Sequence, residues 1–335
     1  MNKILKEDLL QAIETVKPAL GKKELIDQAD CIVFMNGRVI TYNDTISISH
    51  PVLFLEVDGA VNADELHKLL SKLKSSEIEV ENNDAEVVLK SGRMKVGFRL
   101  HHKIVLPLSN VEEVDEWYDL PDNFCKALDF GAQSCSKDVS QPILTCVHIT
   151  SNYIEGSDSM RVSRHQLNTE LPFEDCLIPV HIVGHILRFN PTKICLTGGW
   201  LHFKNGDTIF SCRTINDKYP ITDRFFQGKG LLLNFPMTLS TIIERVRIFA
   251  KTKHYLDEVV QVKIENKRIT IMGTSSETGS WFEENANIRY TGMPLEFQIT
   301  PVLFLSILNQ SHVGRINENL IEFTGDDWAY VALLR

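Results

Sequence analysis

The sequence predicts an α+β fold of three similar domains in line. The main evidence is one design that occurs three times: an apolar run with helical spacing, then short alternating strands, the last two of which flank a glycine-bearing turn. In the first copy Glu65 to Lys74 reads as helix, with strands Glu86 to Lys90 and Met94 to Leu100 around Ser91-Gly92. In the second, Val180 to Phe189 precedes Leu201 to Lys204 and Thr208 to Cys212, which flank Asn205-Gly206. In the third, Pro301 to Leu308 precedes Leu320 to Thr324 and Trp328 to Leu333, around Gly325-Asp326. The marker glycines Gly92, Gly206 and Gly325 lie 114 and 119 residues apart. That period is too long for a solenoid and suits one small domain each.

Each third also opens on a helix. Leu5, Leu9, Ile13, Val16 and Leu20 follow the 3.6-residue period; Phe124, Leu128, Ala132 and Cys135 do so after Pro121-Asp122-Asn123; Leu239, Ile242, Ile243, Val246 and Phe249 do so after Pro236. Between the two helices of a third lie strands with period-two alternation. Cys31 to Met35 and Arg38 to Tyr42 flank Asn36-Gly37, a pair that readily takes the positive φ angles of a two-residue hairpin, and Ile46 to Ser49 follows. Val259 to Ile264 and Arg268 to Met272 flank Asn266-Lys267 at the matching place in the last third. The repeated unit is helix, strands, helix, strands, so two helices can cover one face of an antiparallel sheet. Acidic residues and proline at Glu113 to Pro121, and the stretch Gln227 to Gly230, mark the boundaries, giving domains 1–117, 118–228 and 229–335.

With 335 residues, 43% apolar and 24% charged, the chain has ample material for packed cores. No run approaches eighteen consecutive apolar residues, and Lys3, Lys6, Glu7, Asp8 and Glu14 interrupt the N-terminal stretch, which argues against a membrane span or a signal peptide. Seven scattered cysteines without a C-x-x-C pair read as reduced thiols of a cytoplasmic protein. The net charge of −9 opposes a polyanionic partner, but its distribution does not. The helical segment Ile178 to Lys193 carries Arg188 and Lys193, with His181 and His185, and no acid. Asn234 to His254 sets Arg245, Arg247, Lys251 and Lys253 against Glu244 alone, and Asp64 to Lys74 is also net positive. A basic surface within an acidic body is expected.

No catalytic signature is present. The chain has neither a G-x-x-x-x-G-K-[ST] loop nor a G-x-S-x-G turn. His181 and His185 stand one helical turn apart, a spacing open to one metal, but without the glutamate that a zinc peptidase uses as general base. Binding is favoured over catalysis, with no cofactor and no metal.

Several segments then resemble one family in the right order. Lys137-Asp138-Val139-Ser140-Gln141-Pro142-Ile143-Leu144-Thr145-Cys146-Val147 is similar to the start of the middle domain of the bacterial replicative polymerase sliding clamp, the beta subunit of the polymerase III holoenzyme. Ser157-Asp158-Ser159-Met160-Arg161-Val162 resembles that family's Thr-Asp-Gly-x-Arg-Leu, and Gly206-Asp207 to Tyr219-Pro220 with Arg224 resembles its next strand and turn. Leu89 to Arg93 and Ala329-Tyr330-Val331 fit the first and last domains. The resemblance implies three tandem clamp-type domains and a head-to-tail homodimer closing a six-domain ring. Its function would be that of a non-catalytic processivity factor that encircles duplex DNA without reading sequence and binds a DNA polymerase and a clamp loader.

By position the resemblance assigns Lys23 and Lys137 to loops that touch DNA; Lys72, Arg188, Lys193, Arg245 and Arg247 are DNA-binding candidates from the charge pattern. It also implies a peptide pocket between the middle and last domains at Leu144, Ser157, Ser159, Met160, Arg161, Val162, Pro220, Arg224, Phe225, Gln298, Pro301, Val331 and Leu333. Val96 and Phe98 are implied to meet Ile248 and Phe249 of a second copy. Ser159 stands for a family glycine, Phe225 for a smaller aliphatic and Pro301 for a tyrosine, and the end Leu333-Leu334-Arg335 lacks the Met-Pro-Met type tail. These departures describe a divergent clamp, of the kind a phage or mobile element encodes, with altered peptide preference. Two other functions fit the residues: a clamp-derived monomeric scaffold that does not encircle DNA, and a metal-dependent enzyme using His181 and His185.

Overall fold

The computed structural model describes residues 2–22, 24–111, 114 and 116–335. Among them one order of elements occurs three times. A leading strand β1 (Asn2–Leu5) and helix α1 (Lys6–Val16) are followed by β2 (Cys31–Met35), β3 (Arg38–Tyr42), β4 (Ile46–Pro51) and β5 (Gly59–Asn62). Helix α2 (Ala63–Lys72) then leads to β6 (Glu77–Asn82), β7 (Glu86–Ser91) and β8 (Met94–Arg99). The second round runs β9 (Tyr118–Asp119), α3 (Phe124–Ala132), β10 (Cys146–Thr150), β11 (Tyr153–Ser157), β12 (Arg161–Gln166), β13 (Asp175–Pro179), α4 (Val180–Phe189), β14 (Lys193–Thr197), β15 (Trp200–Asn205) and β16 (Thr208–Arg213). The third runs β17 (Leu231–Asn234), α5 (Leu239–Arg247), β18 (Val260–Glu265), β19 (Arg268–Thr274), β20 (Trp281–Asn287), β21 (Leu295–Ile299), α6 (Pro301–Leu308), β22 (Val313–Asn317), β23 (Leu320–Thr324) and β24 (Trp328–Leu333). The fold class is the α+β expected: six helices among the described residues and antiparallel strand pairing, in three clamp-type repeats.

The chain forms two compact units. The first, Met1–Cys125 with Glu170–Asn216, holds a sheet ordered β5-β2-β3-β4-β16-β15-β14-β9 and a second ordered β1-β6-β7-β8. Helices α1 and α2 pack on each other, and Leu9, Phe34, Leu66, Leu89 and Phe98 close around a small apolar void. Thr41 Oγ1 donates to the carbonyl of Val16 at 2.5 Å, tying strand β3 to the end of α1. The other unit, Lys126–Thr169 with Asp217–Arg335, holds β10-β11-β12-β24-β23-β22-β17 side by side and a sheet ordered β20-β19-β18-β21. Its core joins Leu239, Ile242 and Val246 of α5 to Leu303, Phe304 and Ile307 of α6 over Val262, Ile271 and Phe323. Phe235 stands edge-on to Phe304 at 5.3 Å, a geometry aromatic pairs favour. No helix among the described residues is long and apolar enough to cross a membrane.

Local chemistry sets most boundaries. Asn36 and Gly37 have φ of 52° and 67°, the hairpin geometry their sequence calls for. Asn62 caps α2 by accepting from the N–H groups of Asp64 and Glu65. Helix α4 ends on Asn190 in the left-handed region, and α6 begins with Pro301 at its first position. Other boundaries differ from expectation. The first helix stops at Val16, because Pro18 has no N–H to continue the ladder, and a short 3₁₀ turn covers residues 17–19. The stretch Ile178 to Lys193 is helical only from Val180 to Phe189, so Lys193 begins strand β14. Strand β20, Trp-Phe-Glu-Glu-Asn-Ala-Asn, was not expected; it lies at a sheet edge, where few apolar residues are needed.

Candidate functional site

Strands β10, β11, β12 and β24 present two faces. One looks to the helices: Ser163 Oγ donates to the carbonyl of Phe130 on α3 (3.0 Å), and Tyr330 donates to that of Leu303 on α6 (2.8 Å). Because side chains alternate along a strand, Ser157, Val162, Val331 and Leu333 stand on the opposite face. Strand register brings Ser157 beside Val162 and Val162 beside Val331, and the Leu333 N–H donates to the Met160 carbonyl at 2.8 Å. Four of the expected pocket residues thus share one sheet face.

A segment from Lys218 to Phe226 crosses this face. It is held by Glu155, which is 1% exposed. Glu155 accepts from Arg164 Nε (3.0 Å), Thr222 Oγ1 (2.7 Å) and Arg164 Nη2 (2.9 Å), and its other oxygen meets His148 Nδ1 (2.9 Å). Arg164 also reaches Asp223 (2.8 Å) and stacks over Tyr153 at 3.9 Å, while Tyr219 lies flat on His148 at 4.6 Å. Burial pushes the Tyr219 phenol far above its usual range, so it stays neutral. This network was not visible in the sequence: Glu155 and Thr222 are 67 residues apart. It positions the expected residues Pro220 and Arg224, both exposed, and the half-buried Phe225, over whose ring the Arg224 guanidinium sits at 4.8 Å.

The remaining pocket candidates have other surroundings. Arg161 faces the helices: its Nε donates to Asp158 (2.9 Å) and Nη1 to Ser306 of α6 (3.3 Å), and its side chain is 9% exposed. Burial pushes the Asp158 carboxyl above its usual range, opposed by Arg161 and by the N–H groups of Met160 and Arg161. Met160 is half-buried against the second unit's core, Pro301 is buried, and Leu144 is half-buried in the turn Pro142–Thr145. Gln298 is exposed on β21, where its N–H and carbonyl pair with the backbone of Arg335.

Ser159 has φ of 72°, a conformation that costs a residue with Cβ roughly 1 kcal/mol or more. Its Oγ donates to Gln141 at 3.0 Å on the surface, which offsets little of that cost. Ser159→Gly is therefore expected to raise stability by about 0.5 kcal/mol. A urea midpoint at or below that of the parent would show that the Gln141 bond outweighs the backbone strain.

The DNA-binding candidates fall into two groups. Arg188 is exposed on α4, on a stripe with His181 and Gly184, and Lys72 and Lys137 are exposed. Lys193, Arg245 and Arg247 carry acidic partners: Asp119 at 3.0 Å, Glu284 at 2.8 and 2.5 Å, and the buried Glu258 at 2.5 Å. Lys23 lies outside the described residues. His181 and His185 share α4, yet among the described residues no three His, Cys, Asp or Glu side chains come together as a metal site.

No protein-family model matches the chain, and no curated protein matches it in sequence. Solved structures do match over the full length. A DNA polymerase sliding clamp from Pseudomonas aeruginosa is 15% identical with a TM-score of 0.84, over 100% of this chain and 99% of that one. The DNA polymerase III beta chain of Streptococcus pneumoniae is 20% identical with a TM-score of 0.83, over 99% and 98%. A sliding clamp from Bartonella birtlesii, bound to griselimycin, is 17% identical with a TM-score of 0.83, over 100% and 99%. With three repeats of two helices and antiparallel strands matching end to end, this protein has the fold of the bacterial DNA polymerase sliding clamps.

Proposed function

We propose that this protein is a sliding clamp: a cytoplasmic, non-catalytic processivity factor of three domains, 1–117, 118–228 and 229–335. In this reading two copies join head to tail around duplex DNA and tether a replicative polymerase. One observation carries the proposal. The third strand after each opening helix is β4, β12 or β20, and the last strand of each repeat is β8, β16 or β24. Within the chain β4 pairs with β16 and β12 with β24. The equivalent partners β20 and β8 each end a four-stranded sheet. Two open edges of complementary kind on one chain suit a heterologous contact with a second copy, which closes where the rotation allows.

The side chains at these edges support that contact. Strand β8 exposes Lys95 and Arg99, and β20 exposes Trp281 and Glu283, so opposite charges would meet. Ile248 is 64% exposed beside Phe249, which stacks on Phe282 of β20 at 5.4 Å; Val96 is half-buried and Phe98 is 5% exposed. For partners, the face carrying Ser157, Val162, Val331 and Leu333 offers an apolar floor, beside a segment whose rim is Pro220, Arg224 and Phe225. Such a surface suits a short hydrophobic peptide from a polymerase or clamp loader. The aromatic Phe225 narrows it relative to a smaller aliphatic, which favours a different anchor residue.

The test is retention on nicked circular DNA after loading. A clamp stays on the circle and is lost when the circle is cut, with little dependence on sequence. Equal retention on circular and linear templates would instead make the protein a scaffold that does not encircle DNA.

A further inference from the structure

One backbone contact recurs at the tip of the first hairpin in the first and third repeats. Val52, the first residue after β4, donates its N–H to the carbonyl of Gly37 at 2.7 Å, and Ile288, the first after β20, donates to that of Lys267 at 3.0 Å. The two tips share a left-handed backbone, with φ of 67° at Gly37 and 61° at Lys267. Their side chains differ in kind. Where the first repeat has this glycine and then the exposed Leu53, the third has Lys267 and Arg289, both exposed. A residue with Cβ is strained in that backbone and glycine is not, so the third repeat keeps its lysine at a cost in stability. Strain kept at an exposed tip points to a use for the side chain. Beside the tip the second unit has a surface cleft of about 610 Å³, lined by Lys267, Asn287, Ile288, Arg289, Tyr290 and Thr291. No carboxylate lines it in a chain of net charge −9, and among the described residues neither of its cations is ion-paired. We propose that this cleft is a docking site for an acidic peptide segment of a partner protein, with Lys267 and Arg289 donating to its carboxylates. The site stands on the sheet β20-β19-β18-β21, apart from the strands that carry Val162 and Val331, and its ligand does not depend on the clamp reading.

The walls of the cleft are held in place. Tyr290, half-buried against the core of the unit, donates its hydroxyl to the carbonyl of Met293 at 2.7 Å and so closes the loop 290–293 on itself. That closure needs Gly292, because a Cβ there would strike the phenol. Ile288 is 5% exposed and fixes the base. Lys267 and Arg289 therefore leave from a fixed tip and a fixed strand end, which lowers the ordering cost of binding. The planar guanidinium of Arg289 can hold a carboxylate on two N–H donors, and Lys267 adds a point charge. Ile288 and Tyr290 give the cleft apolar surface, so an acidic segment that also carries an aromatic or aliphatic residue fits it. The positive charge is local. Arg268, next to the tip, pairs across the hairpin with Glu265, and Lys263 lies between Glu265 at 3.0 Å and Glu296 at 3.4 Å. Acids thus border the basic tip, which suits a short ligand with few carboxylates and opposes the long run of phosphates in a nucleic acid.

The experiment follows the backbone amide NMR signals of the full-length protein as a glutamate-rich peptide carrying leucine and phenylalanine is added, with its glutamine counterpart and oligothymidylate in parallel. The glutamate peptide should move the signals of Lys267 and of residues 288–291 saturably, and less so as salt rises. Arg289→Glu, an exposed change that turns an attraction into a repulsion, should weaken binding by roughly tenfold at low salt. Lys267→Gly separates the two properties of that position: it should weaken binding and yet raise the urea midpoint, because glycine removes the left-handed strain. Shifts centred elsewhere, equal binding of the glutamine peptide or tighter binding of oligothymidylate would overturn the assignment. So would unchanged affinity in either variant, or a lowered midpoint in Lys267→Gly. No circular DNA is involved, so this outcome is separate from that of retention on a circle.

Discussion

Replacing Glu155 by alanine should lower the stability of the protein by about 3–5 kcal/mol, the range for breaking a buried ion pair by removing one partner. The carboxylate is 1% exposed and gathers Arg164, Thr222 and His148, whose polar atoms it satisfies away from water. Without it Arg164 keeps only the exposed Asp223 as an ionic partner, and its side chain is 12% exposed. Thr222→Val removes one hydrogen bond from the same network and should cost about 1 kcal/mol. Urea denaturation of the two variants gives the ranking, and a Glu155→Ala loss no greater than that of Thr222→Val would refute the anchoring role. A second consequence is functional. The network holds the segment bearing Pro220, Arg224 and Phe225, so Glu155→Ala should also weaken capture of a partner peptide.

Ile248→Asp should yield a folded protein that no longer self-associates. Ile248 is 64% exposed just past the end of α5, so within one copy the change belongs with surface substitutions, apart from a few tenths of a kcal/mol for a negative charge at a helix C-terminus, roughly. Between copies the balance differs. Burial of an isoleucine contributes about 1.5–3 kcal/mol, and its replacement would also take a carboxylate out of water at the contact. The dissociation constant should rise by roughly 100-fold or more. Sedimentation velocity over a concentration series, with a denaturation curve to show intact folding, measures both halves of the expectation. An unchanged sedimentation series would remove Ile248 from the self-interface and weaken the pairing of β8 with β20.

Much of the architecture was legible along the chain. Helices Val180–Phe189 and Pro301–Leu308 and strands Leu320–Thr324 and Trp328–Leu333 end where turn residues and apolar periodicity place them. Strand β20 was not legible, because an edge strand with alternating polar residues lacks the apolar pattern that marks a buried one. The neighbourhood of Lys193 reads as helix, but the left-handed Asn190 ends that helix first. Of the expected pocket, the alternation of Val162 with Ser163, and of Val331 with Tyr330, sorts residues by face once the register is known. The opposite placement of Arg161 follows from the same alternation.

The sequence by itself determined the α+β class, the threefold recurrence of two helices with antiparallel strands, and the hairpins at Asn36-Gly37 and Asn266-Lys267, because φ/ψ preference and apolar period act over a few residues. Only the tertiary structure decided which charges stay available. It brought Glu284 to Arg245 across 39 residues, Thr222 to Glu155 across 67, and Ser306 to Arg161 across 145, and left Arg188 exposed beside His185. Ion pairing and burial depend on neighbours in space, and strand pairing chooses those neighbours after the local pattern has been satisfied.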